Sequence, residues 1–215
     1  MSSFFGLLIV SILFAVAFGD VMTMIPLQKE GHAFHRGNLA SKTVVEFYLD
    51  LGCSSCMSEW PVLRKVYESY KDRVHFLYRI FPLPYHQQAF IQAKAAQVVN
   101  YYGAEEAVFT FINTNFAQQS KIYNSATADM TYNDVVKFVA QWATDGTGVT
   151  EDQYFTGMNT STSIGSTLEM NARYMWKYST IQGDFATPFF AIDGLKVGGL
   201  ETYQDWASVL DPLVN

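Results

Sequence analysis

Cysteine is nearly absent: Cys53 and Cys56 are the only two in 215 residues. That excludes a small scaffold stapled by several disulfides. Lys and Arg together number 14 against 20 Asp and Glu, a net charge of −6, and they form no cluster. The chain therefore offers no basic surface for nucleic acid and no basic face for a membrane. Charged residues make up only 16% and prolines number 6, which rules out an extended, disordered or Pro-rich chain. What is abundant is apolar: 49% hydrophobic and 16% aromatic residues. This is enough to pack one domain, or one domain with a sizeable insertion.

The single long apolar run lies at the start, in "MSSFFGLLIVSILFAVAFGD". Phe4 to Phe18 falls short of the ~20 residues a spanning helix needs. Ala17 and Gly19 occupy positions −3 and −1 of a cut before Asp20, so residues 1–19 are expected to be a secretory signal peptide. The start has no Lys or Arg, and an uncleaved signal anchor is the alternative. The mature chain is then expected in the secretory lumen or outside the cell, without stable membrane insertion. Its final "DPLVN" is not a KDEL-type retrieval signal. Asn159-Thr160-Ser161 is a glycosylation sequon.

"KTVVEFYLDL" (Lys42 to Leu51) is short and rich in β-branched and aromatic residues, as a buried strand is, and it runs into Gly52 and the cysteines. From Ser54 the spacing turns helical, with Trp60, Leu63, Val66, Tyr67 and Tyr70 on one face. "RVHFLYRIF" (Arg73 to Phe81) reads as a second strand, stopped by Pro82 and Pro84. A run of helices follows, with apolar stripes through Ile91–Tyr102, Val108–Phe116 and Val135–Trp142, the last capped by Thr131. Thr150 caps a short helix, and "STLEMNARYMWKY" forms another. The aromatic and Met stripes are read as core. "TPFFAIDGLKVGG" then predicts a hairpin turning at Asp193-Gly194, and "TYQDWASVLDPL" an amphipathic final helix. The predicted class is α/β (α+β), in the order β-α-β, helical block, β-β-α.

Four chemistries suit a CxxC pair. As a structural disulfide it closes so small a loop that the entropic gain is only about 2 kcal/mol. As half of a zinc site it needs partners from His32, His35, His75 and His86, and no usual ligand spacing joins them to the cysteines. Inert buried thiols would be a coincidence in an oxidising compartment. A redox dithiol fits best, with no cofactor beyond the Cys53–Cys56 disulfide itself. At the start of a helix a thiolate gains from free N–H groups and the local positive charge. Cys53 would sit there, open to solvent, as the nucleophile. Cys56, one turn in, would resolve a mixed disulfide on Cys53.

The chain resembles the DsbA-like thiol–disulfide oxidoreductases of thioredoxin fold, through "VVEFYLDLGCSSCMSEWP", the helical block and "ATPFFAIDGLKVGG". Pro61 falls where thioredoxins kink the first helix. The resemblance implies a thioredoxin-like first part at residues 20–84, a DsbA-type helical insertion at 85–180 and the second part at 181–215. It implies a cis bond between Thr187 and Pro188 beside the dithiol, where substrate peptide pairs. The residues alone favour trans, since only about one X–Pro bond in twenty is cis in folded proteins. It further implies that Glu46 is a buried acid serving as proton shuttle, although Glu46 lies one residue further from Cys53 than in the family. Gly52 stands where thioredoxins have Trp, which would open the surface on the substrate side of Cys53. Ser54-Ser55 lack the His of strongly oxidising relatives, and the acids Asp50 and Glu59 are near. Both features predict a less than extreme oxidant.

The implied activity is exchange of disulfides with protein or peptide thiols, as oxidase, isomerase or reductase, supported by a redox-recycling partner that the sequence does not identify. A lysosomal thiol reductase of the gamma-interferon-inducible kind is disfavoured by the low cysteine count. The alternatives are a non-catalytic, chaperone-like peptide-binding module, which has no need of Cys56, and a glutathione-dependent transferase or isomerase, which also needs no second cysteine.

Overall fold

The computed structural model describes residue 25 and residues 32–214. The expected signal peptide, residues 1–19, lies outside them. Strands β1 (Phe34–Gly37), β2 (Val44–Leu49) and β3 (His75–Ile80) are followed by β4 (Phe189–Ile192) and β5 (Leu195–Val197). They form one sheet in the order β1-β3-β2-β4-β5. β2 runs parallel to β3 and antiparallel to β4, and β1 closes the far edge antiparallel to β3. β1 carries the "FHRG" stretch, which sequence reading treated only as a source of histidines.

Helix α1 (Ser54–Tyr70) links β2 to β3, the crossover a parallel pair requires, and contains Pro61. Between β3 and β4 lie α2 (Ala89–Tyr102), α3 (Ala107–Ala117), a 3-10 turn at Gln119–Ile122, α4 (Tyr132–Thr144), α5 (Glu151–Met158) and α6 (Ser163–Thr180). Thr131 and Thr150 cap α4 and α5, each in a capping box with the third helical residue. α7 (Tyr203–Val214) ends the chain. The β4–β5 hairpin turns at Asp193 (φ 51°) and Gly194 (φ 79°), the left-handed pair that a two-residue turn demands.

Alternation along β2 divides the core. Val45, Phe47 and Leu49 join the main cluster, where Trp206 of α7 meets the Phe47 ring edge-on at 5.4 Å. Glu46, Tyr48 and Asp50 point to the opposite face. There Tyr48 stacks on Phe189 at 4.0 Å, and the Arg79 guanidinium lies 4.0 Å over the ring of Tyr178 from α6. Helix α6 of the insertion thus packs on this second face of the sheet. Among the described residues no helix is long and apolar enough to cross a membrane.

Candidate active site

The chain leaves β2 at Leu49 and turns through Asp50, Leu51 and Gly52 into α1. Cys53 is the N-cap of that helix, with extended backbone (φ −86°, ψ 124°) and no side-chain oxygen in the capping place. An N-cap side chain ordinarily accepts the N–H of the second or third helical residue, here Ser55 and Cys56. The sulfur of Cys53 takes that role once it is a thiolate. Its pKa is brought down to about 5, chiefly by a hydrogen bond from the Cys56 thiol; burial opposes this, while Thr187 and the N–H groups of Cys56 and Ser55 assist. Cys56 is fully buried and pushed well above the ordinary thiol value, first by burial and then by its bond to Cys53. One thiol is therefore ionised at neutral pH and its neighbour is protonated.

Cys53 is not open to solvent as expected. It is only 8% exposed, because the loop before β4 folds over it; in the thiol form its Sγ donates to the Thr187 carbonyl at 3.3 Å. The Thr187–Pro188 bond is cis. Thr187 Oγ1 is buried and has no partner while Cys53 is protonated; its O–H is the group of Thr187 that serves the thiolate.

Glu46 is buried, but it does not reach the dithiol. Its Oε2 accepts from Arg79 Nε at 2.9 Å, Arg79 Nη2 at 2.7 Å and the Tyr48 hydroxyl at 2.9 Å. β2 pairs with β3 without a skipped residue from Val44 to Leu49, so Glu46 is an ordinary strand residue held in an ion pair. Asp50, four residues on and on the same face, is the acid whose backbone meets the dithiol. It is fully buried, and its N–H donates to Cys56 Sγ at 3.4 Å. Its Oδ1 accepts from Gly52 N–H at 2.8 Å, and its Oδ2 from Leu83 N–H at 2.8 Å. Oδ2 also lies 2.6 Å from His86 Nδ1, and this contact holds the imidazole above its usual value.

Gly52 does not open the surface. It is buried, and a Cβ there would come within 3.1 Å of His86 Cβ, so the missing side chain makes room for the imidazole. Glu59 does not act on the thiols; burial and Glu201 raise its carboxyl instead. His35 and His75 sit together on β1 and β3, Nδ1 to Nε2 at 3.1 Å, away from His86, so the histidines of the zinc alternative are dispersed. Among the described residues no three His, Cys, Asp or Glu side chains converge on a metal position. Asn159 is exposed at the end of α5, its Oδ1 accepting Ser161 N–H at 3.0 Å.

Two contributors escaped sequence reading. Gln119, from the insertion, donates to the carbonyls of Leu51 (2.9 Å) and Cys53 (2.8 Å) and so fixes the dithiol turn. Tyr123 holds Gln119 Oε1 at 2.8 Å. His86 counted only as a possible metal ligand. A cavity of about 510 Å³ opens beside Cys53, lined among others by Gly52, Ser54, His86, Gln92 and Tyr123.

The thioredoxin family model matches residues 29–212. Among solved structures, BdbD from Bacillus subtilis (oxidised) has a TM-score of 0.67 at 13% identity, covering 85% of this chain and 93% of that one. The thiol-disulfide exchange protein α-DsbA2 from Wolbachia pipientis gives 0.63 at 18%, covering 83% and 86%. DsbA2 from Pseudomonas aeruginosa gives 0.58 at 20%, covering 87% and 96%. No curated protein sequence matches the chain. At these identities the likeness is one of fold: a thioredoxin core carrying a DsbA-type helical insertion.

Proposed function

The chain belongs to the thioredoxin family, and from that premise we propose that it exchanges disulfides with protein or peptide substrates through Cys53 and Cys56. The observation that carries this reading is the placing of the two thiols: Cys53 on the helix N-cap against the Thr187 loop and Cys56 fully buried one turn in, which lowers the first and raises the second.

In the reducing direction the Cys53 thiolate attacks one sulfur of a substrate disulfide, forming a mixed disulfide and expelling the other sulfur as a thiolate. Cys56 then loses its proton and attacks Cys53 Sγ. The Cys53–Cys56 disulfide forms, the second substrate thiolate leaves, and two electrons have passed to the substrate. Oxidation of a substrate dithiol is the same sequence reversed. The Thr187–Pro188 loop, whose carbonyl touches Cys53 Sγ, is the place for substrate backbone.

A thiolate stabilises the reduced enzyme and so makes its disulfide a better oxidant. A value of about 5 lies between the ~7 of thioredoxin and the ~3.5 of DsbA. The couple should therefore fall between roughly −270 and −120 mV, an oxidant of intermediate strength. The test is equilibration with glutathione buffers together with insulin-disulfide reduction. A potential outside that interval overturns the assigned strength. Absence of both turnover and a titratable disulfide would return the chain to a peptide-binding module.

A further inference from the structure

We propose that His86 is a positioning residue of the exchange reaction, whose imidazolium neutralises the Asp50 carboxylate and thereby keeps Cys53 in its thiolate form. This rests on the oxidoreductase reading above. Asp50 is fully buried, its own N–H donates to Cys56 Sγ, and its carboxylate accepts from two backbone N–H groups. An uncompensated carboxylate there would repel a thiolate on Cys53, three residues away. His86 is the compensation: it is 2.6 Å from Asp50, packed over Gly52, and on the wall of the cavity beside Cys53.

The other ionisable groups around His86 do not take this part. Tyr85 meets the ring edge-on at 4.8 Å, and burial raises its phenol, so it carries no charge at physiological pH. Arg173 of α6 shares a second, apolar cavity with His86 and is paired with Glu169 of its own helix. Cys56 keeps its proton. The charges that remain around the imidazole are those of Asp50, 2.6 Å away, and Cys53. The family's histidine between the two cysteines is missing here, and an imidazole from the loop after β3 does comparable electrostatic work.

Coupling between two titrating groups is reciprocal. If the His86 cation favours the Cys53 thiolate, the thiolate must favour the cation by the same amount. Oxidation to the Cys53–Cys56 disulfide removes the thiolate, so the His86 titration midpoint must fall. The test uses the unaltered mature protein: imidazole resonances of His86 followed against pH by NMR, in the reduced and the oxidised state. The expected result is a midpoint lower by about one pH unit after oxidation, within the range of opposite-charge effects. His86→Gln should correspondingly raise the midpoint of the Cys53 thiolate absorbance by a similar amount. It should also move the glutathione equilibrium about tenfold toward the disulfide form, since one unit is tenfold.

A purely structural imidazole would leave the wild-type midpoint the same in both redox states, and that result overturns the proposal even if His86→Gln misfolds. Thiol counting keeps the two readings apart. A disulfide that forms without moving His86 refutes this inference alone, whereas two free thiols after treatment with oxidant refute the oxidoreductase reading with it.

Discussion

Replacing Cys56 by Ala should disarm Cys53 before it affects anything else. The hydrogen bond from the Cys56 thiol is the largest influence bringing Cys53 down to about 5. A hydrogen bond to a charged acceptor contributes about 1.5–3 kcal/mol, and one pKa unit corresponds to about 1.4 kcal/mol. Losing that donor should therefore raise Cys53 by about one to two units, to roughly 6–7. The N–H groups of Ser55 and Cys56 at the helix start remain and prevent a full return to the value of a free thiol. Cys56→Ser keeps a donor of similar reach and should titrate nearer to the wild type. The assay is thiolate absorbance against pH, cross-checked by the pH profile of iodoacetamide alkylation. A Cys56→Ala protein still titrating near 5 would refute the reasoning and give the whole effect to the helix terminus and Thr187.

The same variant tests the order of attack. At pH 7 about half or more of its Cys53 is still thiolate on these values, so acid trapping of Cys56→Ala should show long-lived mixed disulfides on non-reducing gels, and Cys53→Ala almost none. Adducts mainly on Cys53→Ala would reverse the roles. Stability should depend on redox state and pH together. The folded Cys53 value is depressed, so its contribution is complete above the unfolded value of about 8.5 and is lost as pH falls toward about 5. Urea melts of reduced minus oxidised protein should rise with pH across that window at up to about 1.4 kcal/mol per pH unit; a flat difference would contradict the thiolate assignment. Gln119→Leu takes the side-chain donor from the Leu51 carbonyl and leaves the Cys53 carbonyl with only the Met57 N–H, and should cost about 1–3 kcal/mol, read from the urea midpoint. N-terminal sequencing of secreted protein should begin at or near Asp20, and full-length chain found solely in membranes would favour an anchor instead.

Much of the fold could be read because its signals are local. The switch from β-branched residues to helical spacing at Ser54, the threonine caps at 131 and 150, and the Asp193-Gly194 turn each act over a few residues and reappear as the start of α1, the caps of α4 and α5, and the β4–β5 turn. β1 was missed because four residues at a sheet edge carry no periodicity of their own; only pairing with β3 makes them a strand. In the site, the cysteines were legible from their position at a strand-to-helix junction. Glu46 misled because family likeness points to an acid on this strand, whereas Arg79 on the neighbouring strand claims its carboxylate. Asp50 was noted merely as a nearby negative charge, since a sequence does not show that a histidine 36 residues later lies against it.

The dipeptide between the two cysteines is therefore a poor guide to the chemistry of this pair. Ser54-Ser55 suggests a weakly activated thiol when judged alone. The environment of Cys53 is assembled instead from three separate stretches: the turn with Asp50 and Gly52, the post-β3 loop with His86, and the insertion with Gln119. Each contributes through a backbone or carboxylate contact that tolerates many neighbouring sequences. Gly52 connects the first two, because a Cβ there would crowd His86 Cβ at 3.1 Å and a bulky side chain would compete with the imidazole for its place. Gly52→Trp, the residue thioredoxins have at this place, should thus do more than cover the surface. It should displace His86 and raise the Cys53 midpoint as His86→Gln does, and adding His86→Gln to it should change little further. Additive shifts in the double variant would mean that Gly52 and His86 act on Cys53 by separate routes.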